Sequence, residues 1–185
     1  MSARSALMTW PNVLTAARLL CVPVVAVLLW RDDPTSRDIA AVVFVLAALT
    51  DLVDGALARR TGTESEFGAF ADPIADKALI GVALIGLSWL GDLPWWITAV
   101  IIVREIAVTV VRLVVLRHGV IPASRGGKVK TVLQIVAIAM YLAVGPAWWV
   151  DIAQVVMIAA VIVTVITGID YLRRARELSR AEGLR

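Results

Sequence analysis

Residues Asp51–Lys77 read DLVDGALARRTGTESEFGAFADPIADK and place four aspartates, Asp51, Asp54, Asp72 and Asp76, inside or beside otherwise apolar segments. A carboxylate held near hydrocarbon costs at least a few kcal/mol unless something neutralises it, so four of them demand a common reason. On a helix, residues three and four apart share a face. Asp51, Asp54 and Ala58 therefore form one stripe, and Gly68, Asp72 and Asp76 form a second at strict four-residue spacing. Only the stretch of about 61–67 separates the two helices, so a hairpin can set the acidic stripes against each other. Like charges at such range repel, and hard divalent cations with oxygen ligands are the usual remedy. Two cations bridged by carboxylates suit a displacement at phosphorus, where both the attacking and the leaving oxygen need to be held.

The small residues fit the same chemistry, because Gly55, Ala58 and Gly68 let a bulky ligand come close to the backbone. The competing explanation is helix capping and ion pairing with Arg59, Arg60 and Lys77. Those cations neutralise one or two carboxylates. Caps do not explain Asp51 and Asp54 within a helix, or Asp76 one turn beyond Asp72. The expectation is a metal site built from all four aspartates.

Around this stretch the chain is 60% apolar over 185 residues, well above a soluble domain, which marks an all-α integral membrane protein in one domain, 1–185. The single cysteine, Cys21, lies in an apolar run and excludes a disulfide framework within the chain. Ser2–Trp10 lacks a cationic start, an apolar stretch and a small-residue cleavage site in series, so Met1–Trp10 reads as a short interfacial segment ending at Pro11 rather than a signal peptide. Six spans follow, at about 13–30, 39–58, 68–90, 95–116, 131–150 and 152–169, each near the ~20 residues that cross a bilayer core. Arg31–Asp38 and Arg117–Lys130 read as loops, Gly145, Pro146, Trp148 and Trp149 as a turn, and 173–185 as a basic tail. Pro73 is expected to bend the third span between Asp72 and Asp76.

Six spans put both termini on one side. Arg59, Arg60, Arg117, Arg125, Lys128, Lys130, Arg173, Arg174, Arg176, Arg180 and Arg185 fall on that side, against Arg31 and Arg37 opposite. Positive residues favour the cytoplasmic face, so the termini and the aspartate hairpin are expected there. The Trp pairs read as interfacial anchors.

Asp51-x-x-Asp54-Gly55-x-x-Ala58-Arg59, an eight-residue gap, and Gly68-x-x-x-Asp72-x-x-x-Asp76 together resemble the signature of the CDP-alcohol phosphotransferases, membrane enzymes of phospholipid synthesis. All eight fixed positions are met. PNVLTAARLL near the start, GAFADPIADK, IIVREIAVTVVR and GKVKT are similar to the bacterial phosphatidylglycerophosphate synthases of that family, and the likeness covers roughly 11–141. The resemblance implies a six-helix CDP-alcohol phosphotransferase fold in the bacterial cell membrane. It implies transfer of a phosphatidyl group from CDP-diacylglycerol to sn-glycerol 3-phosphate with release of CMP. It also implies that Asp51, Asp54, Asp72 and Asp76 hold two divalent cations, Mg2+ or Mn2+, and that Asp76 takes the proton from the attacking hydroxyl. Gly55, Ala58 and Arg59 are then expected to hold the CDP part. Arg104, Arg112, Lys128 and Lys130 are candidates for the acceptor phosphate, since guanidinium and ammonium groups suit phosphate oxygens. Arg104, Glu105 and Arg112 read equally as an internal salt-bridge set, and a loop lysine as simply solvated.

Within the family the alternatives are a phosphatidylinositol phosphate synthase and a cardiolipin synthase using CDP-diacylglycerol. A membrane prenyltransferase is expected to have more helices and longer aspartate-bearing loops. A cation transporter places its carboxylates near the midplane, whereas these sit near one face. The expected assembly is a homodimer, with membrane lipid around it and no nucleic-acid partner.

Overall fold

The structure, a computed structural model, describes the backbone of residues 10–61, 66–115 and 125–182 and the side chains of 13–50, 74, 75, 77–111 and 126–177. Among the described residues there are six helices and no strands: α1 (Trp10–Arg31), α2 (Pro34–Thr61), α3 (Glu66–Trp89), α4 (Trp95–Val115), α5 (Arg125–Leu142) and α6 (Ala147–Glu182). The interfacial reading of 1–9 lies outside the described residues.

The helix ends follow from local chemistry. The first connection is only Asp32 and Asp33. Asp32 takes the left-handed conformation, φ 47°, which a short polar side chain tolerates. Asp33 then caps α2, its Oδ1 accepting the Ser36 N–H at 2.9 Å, with Pro34 at the first helical position. The Ser36 side chain and backbone donors hold the Asp33 carboxyl below its usual range. Residues 34–38, expected as loop, are therefore the first turn and more of α2, and the D-P-x-S pattern is what starts it. Gly91, at φ 84°, ends α3, and the Asp92 N–H returns to the Leu87 carbonyl at 3.0 Å.

Two further expected boundaries are corrected. Residues 125–130 form the start of α5 rather than loop, since nothing in RGGKVK breaks a helix once its glycines sit at the N-terminal turn. The turn between the last two helices is 143–146, so 147–150 begin α6 rather than end the fifth span. Pro146 lacks an N–H and cannot continue α5, while its carbonyl accepts the Trp149 N–H at 2.9 Å and starts α6. The basic segment 173–182 continues α6 without a break.

α1 packs along both α2 and α3, α2 against α5, α3 against α4 and α5, and α6 against α4 and α5. Their shared core contains Val25, Leu29, Phe44, Leu79, Leu84, Leu87, Ile101, Ile138, Leu142 and Met157, all buried. Gly86 lets α1 and α3 approach closely, since a Cβ there would stand 2.5 Å from the Leu29 Cδ1. Large apolar side chains cover the outside instead: Leu20 is 69% exposed, Leu46 59%, Val103 65% and Val155 69%. Arg18, Lys130, Gln134 and Thr164 are buried inside. An apolar exterior around a polar interior suits lipid, not water. Val13–Arg31 and Ala147–Glu177 are each long and apolar enough to cross a membrane on their own.

The exposed Trp30, Trp89, Trp95, Trp96 and Trp148 all lie at one end of the bundle. At that end Arg37 joins three connections. Its Nη2 donates to Asp92 Oδ2 at 2.5 Å and to the Tyr141 carbonyl at 3.1 Å, and its Nη1 lies 3.6 Å from Asp32. Asp38 Oδ1 accepts the Val144 N–H at 2.9 Å.

Candidate active site

At the other end, α2 is helical through Asp51, Asp54, Gly55, Ala58 and Arg59, and α3 is helical from before Gly68 through Asp72, Pro73 and Asp76. The three- and four-residue spacings read from the sequence therefore fall on helical backbone, as the two acidic stripes require. The side chains of these residues, of Arg112 and of Arg125 lie outside those described. His118 lies outside the described residues altogether.

How the acidic stripes of α2 and α3 face each other lies outside the described residues. Among the described residues α2 and α3 touch only slightly, whereas α1 packs along the length of each. Arg18 on α1 is buried, and its Nε donates to the Ala47 carbonyl at 3.3 Å, one helical turn before Asp51. The Thr50 hydroxyl shares that carbonyl at 2.7 Å. A guanidinium thus sits a turn away from the start of the acidic stripe, a position the sequence alone left without a role. An arginine inside a membrane bundle faces the interior for a functional or pairing reason.

A polar cluster joins the other three helices. Glu105 on α4 accepts a hydrogen bond from Arg104 Nη1 at 2.9 Å and another from the Lys130 ammonium on α5 through the same Oε1. Arg104 also reaches α6, its Nε donating to the Thr164 carbonyl at 3.1 Å and its Nη2 to Thr167 Oγ1 at 3.0 Å. Gly168 makes room for it, because a Cβ there would lie 3.1 Å from the Arg104 Cγ. Gln134, one turn after Lys130, donates to the Thr164 hydroxyl at 3.0 Å, and its buried Oε1 has no hydrogen-bond partner among the described residues. Each partner here is a side chain or carbonyl that would otherwise be stranded in an apolar core.

Helix α5 resolves the two lysines. Lys130 points inward and is 6% exposed, while Lys128, two residues earlier and so on the opposite side, is exposed. Arg104 and Lys130 are thus brought together, with Glu105 between them, and Lys128 is not part of that cluster. Gln134, Thr164 and Thr167 carry no signal in the sequence, because isolated hydroxyls and one amide in an apolar run look like ordinary span residues.

Two grooves open sideways beside these groups. One, of about 570 Å3 between α3 and α4, is lined by Ile74, Lys77, Gly81, Glu105, Ile106 and Thr109. The other, of about 550 Å3 between α2 and α5, is lined by apolar side chains such as Leu46, Leu49, Val132 and Val136. The first runs from the acidic end toward the middle of the bundle, and the second from near Leu49 to the α5–α6 turn at Ala143 and Trp149. Among the described residues no three acidic, histidine or cysteine side chains gather as metal ligands.

Residues 8–166 match the sequence model of the CDP-alcohol phosphatidyltransferase family. A Mycobacterium tuberculosis protein named "Probable phosphatidylglycerophosphate synthase" is 51% identical over 179 residues, spanning 94% of this chain and 85% of the relative. A Bacillus subtilis protein named CDP-diacylglycerol–glycerol-3-phosphate 3-phosphatidyltransferase is 37% identical, over 87% of this chain and 92% of its own length. A Rickettsia felis protein of the same name is 33% identical, over 90% and 95%.

Proposed function

The chain belongs to the CDP-alcohol phosphatidyltransferase family, and from that premise we propose that it moves the phosphatidyl group of CDP-diacylglycerol to sn-glycerol 3-phosphate, giving phosphatidylglycerophosphate and CMP. The observation that carries the reading is the complete two-helix aspartate signature in a chain whose relatives, at 51% and 37% identity over most of their length, bear names for this transfer.

In this reading Asp51, Asp54, Asp72 and Asp76 hold two divalent cations. The donor set is all carboxylate oxygen on two helical stripes, which fits hard ions such as Mg2+ or Mn2+ rather than soft ones. Such ions, when bound, neutralise charge on the diphosphate. Gly55 and Ala58 leave the backbone of α2 open to the CDP part, and Arg59 pairs with its phosphate. Asp76 accepts the proton of the attacking glycerol phosphate hydroxyl, whose oxygen forms the new bond to the phosphorus bearing diacylglycerol. The bond from that phosphorus to CMP breaks, and CMP leaves with the electron pair. The acceptor's own phosphate is held by cations of α4 and α5, namely Arg104, Arg112 and the inward-facing Lys130, while Lys128 faces away. Among the described residues Arg104 makes three hydrogen bonds, using three of its five N–H donors. The sideways grooves suit acyl chains entering from the bilayer.

The same proposal has all six helices crossing a bacterial cell membrane, with both termini and the site on the cytoplasmic face, and a homodimer as the assembly. The excess of basic residues at the acidic end supports that orientation. Purified protein incubated with labelled CDP-diacylglycerol and Mg2+ is expected to label lipid with glycerol 3-phosphate as acceptor. Product with inositol phosphate or phosphatidylglycerol, and none with glycerol 3-phosphate, would replace the acceptor.

A further inference from the structure

Arg104 projects from α4, yet what sets its orientation lies on α6. Its Nε donates to the Thr164 carbonyl at 3.1 Å and its Nη2 to Thr167 Oγ1 at 3.0 Å. Two directional hydrogen bonds on one edge fix a planar guanidinium, where a single one would leave it free to swing. The Thr167 hydroxyl is committed to this contact. Its hydrogen is turned to the backbone of α6, with the Val163 carbonyl at 2.7 Å and the Thr164 carbonyl at 3.2 Å, so toward Arg104 its oxygen accepts. Gly168 completes the seat, because a Cβ there would stand 3.1 Å from the Arg104 Cγ and 3.2 Å from its Nε. The seat is braced in turn from α5, since the buried Gln134 amide donates to the buried Thr164 hydroxyl at 3.0 Å. Neutralising the arginine does not require any of this. Glu105 does that through Nη1 at 2.9 Å, and charge neutralisation needs proximity, not a fixed plane. Recognition of a phosphate does need one, because guanidinium donors match a pair of phosphate oxygens only when the plane is right.

We infer that Thr167 and Gly168 are positioning residues for the acceptor: they set the plane of the Arg104 guanidinium so that it meets the phosphate of the incoming alcohol already oriented. This rests on the assignment of a phosphorylated acceptor above. A free arginine side chain would lose its rotamer freedom on binding, and the α6 seat removes that loss beforehand. The effect falls on acceptor affinity and not on the lipid nucleotide.

The test is steady-state kinetics on the purified, membrane-derived protein with Thr167→Val, Thr167→Ser and Gly168→Ala. Thr167→Val keeps the shape and removes the accepting oxygen. It is expected to raise the KM for glycerol 3-phosphate roughly fivefold to tenfold while kcat and the KM for CDP-diacylglycerol hold. Thr167→Ser keeps the hydroxyl and should keep most of the affinity. Gly168→Ala displaces the Arg104 stem by a few tenths of an ångström and should raise the same KM. Alanine suits a helix better than glycine, so the thermal midpoint of that variant is expected to stay level or rise, whereas a merely structural role would lower midpoint and affinity together. In an Arg104→Lys background neither change is expected to add to the acceptor KM, because the oriented plane is gone. An unaltered acceptor KM in folded Thr167→Val or Gly168→Ala protein, an equal rise for both substrates, or Thr167→Ser as impaired as Thr167→Val would each overturn the role. If the unaltered protein ignores glycerol 3-phosphate but turns over another alcohol bearing a phosphate monoester, the acceptor assignment alone is replaced, and the same comparison with that alcohol decides the role of the seat. Turnover only with acceptors lacking such a phosphate would overturn both.

Discussion

Asp76 and Gly145 show how differently single residues matter at the two ends of the bundle. Asp76 closes the second acidic stripe, and Asp76→Asn keeps size and helix while removing both charge and basicity. Product formation is expected to fall by at least about a hundredfold in protein that inserts normally, measured by transfer of labelled phosphatidyl group. Asp72→Asn should fall similarly, and added Mn2+ should restore neither. Gly145 has no chemistry but leaves no space: a Cβ there would stand 2.6 Å from the Trp149 Cγ, a rigid ring whose Nε1 donates to the Met140 carbonyl at 2.9 Å. The ring cannot yield without losing that bond. Gly145→Ala is therefore expected to cost about 1–3 kcal/mol, seen as a lower thermal midpoint in detergent with the specific activity at low temperature retained. The sequence places Gly145 in a turn but does not say what crowds it, since Trp149 comes back over it only once α6 has started.

At the scale of elements, the helices are fastened to one another by a few polar ties in an otherwise apolar bundle. Arg37 is the clearest, linking the start of α2 to the turn after α3 and to the end of α5. Its distance along the chain from Asp92 and Tyr141 hides this pairing from any local pattern. Arg37→Met leaves the Asp92 carboxylate and the Tyr141 carbonyl without that donor, and a loss of about 1–3 kcal/mol is expected in detergent unfolding. Turnover at saturating substrate should change little, because the tie lies at the end away from the aspartates. The Ser88 and Thr98 hydroxyls, 2.7 Å apart, make a similar buried tie between α3 and α4. The order of the helices was legible from hydropathy, but their ends were not. Hydropathy cannot see that Asp33 caps α2 or that Pro146 begins α6, because both are hydrogen-bond facts.

For the whole molecule, the arrangement sets basic residues and the acidic stripes at one end and the exposed tryptophans at the other. With Cys21 replaced by Ala, single cysteines at 92 and at 128 should separate on intact cells. A membrane-impermeant maleimide is expected to label position 92, in the turn after α3, and to reach 128 only after lysis; the reverse pattern would invert the topology. The acidic pairs, their helical spacing and the bias of basic residues are all short-range or compositional, and for that reason the sequence by itself determined the helical membrane class, the paired-aspartate pattern and the expected orientation. What only the tertiary structure decided is how distant residues meet: α1 lying along both acidic helices with Arg18 on the Ala47 carbonyl, Lys130 rather than Lys128 turned inward, and Glu105 joined to both Arg104 and Lys130. Those meetings depend on which helix faces pack together across many residues of chain, and in a bundle where nearly every face is apolar, hydrophobic pattern does not choose among them.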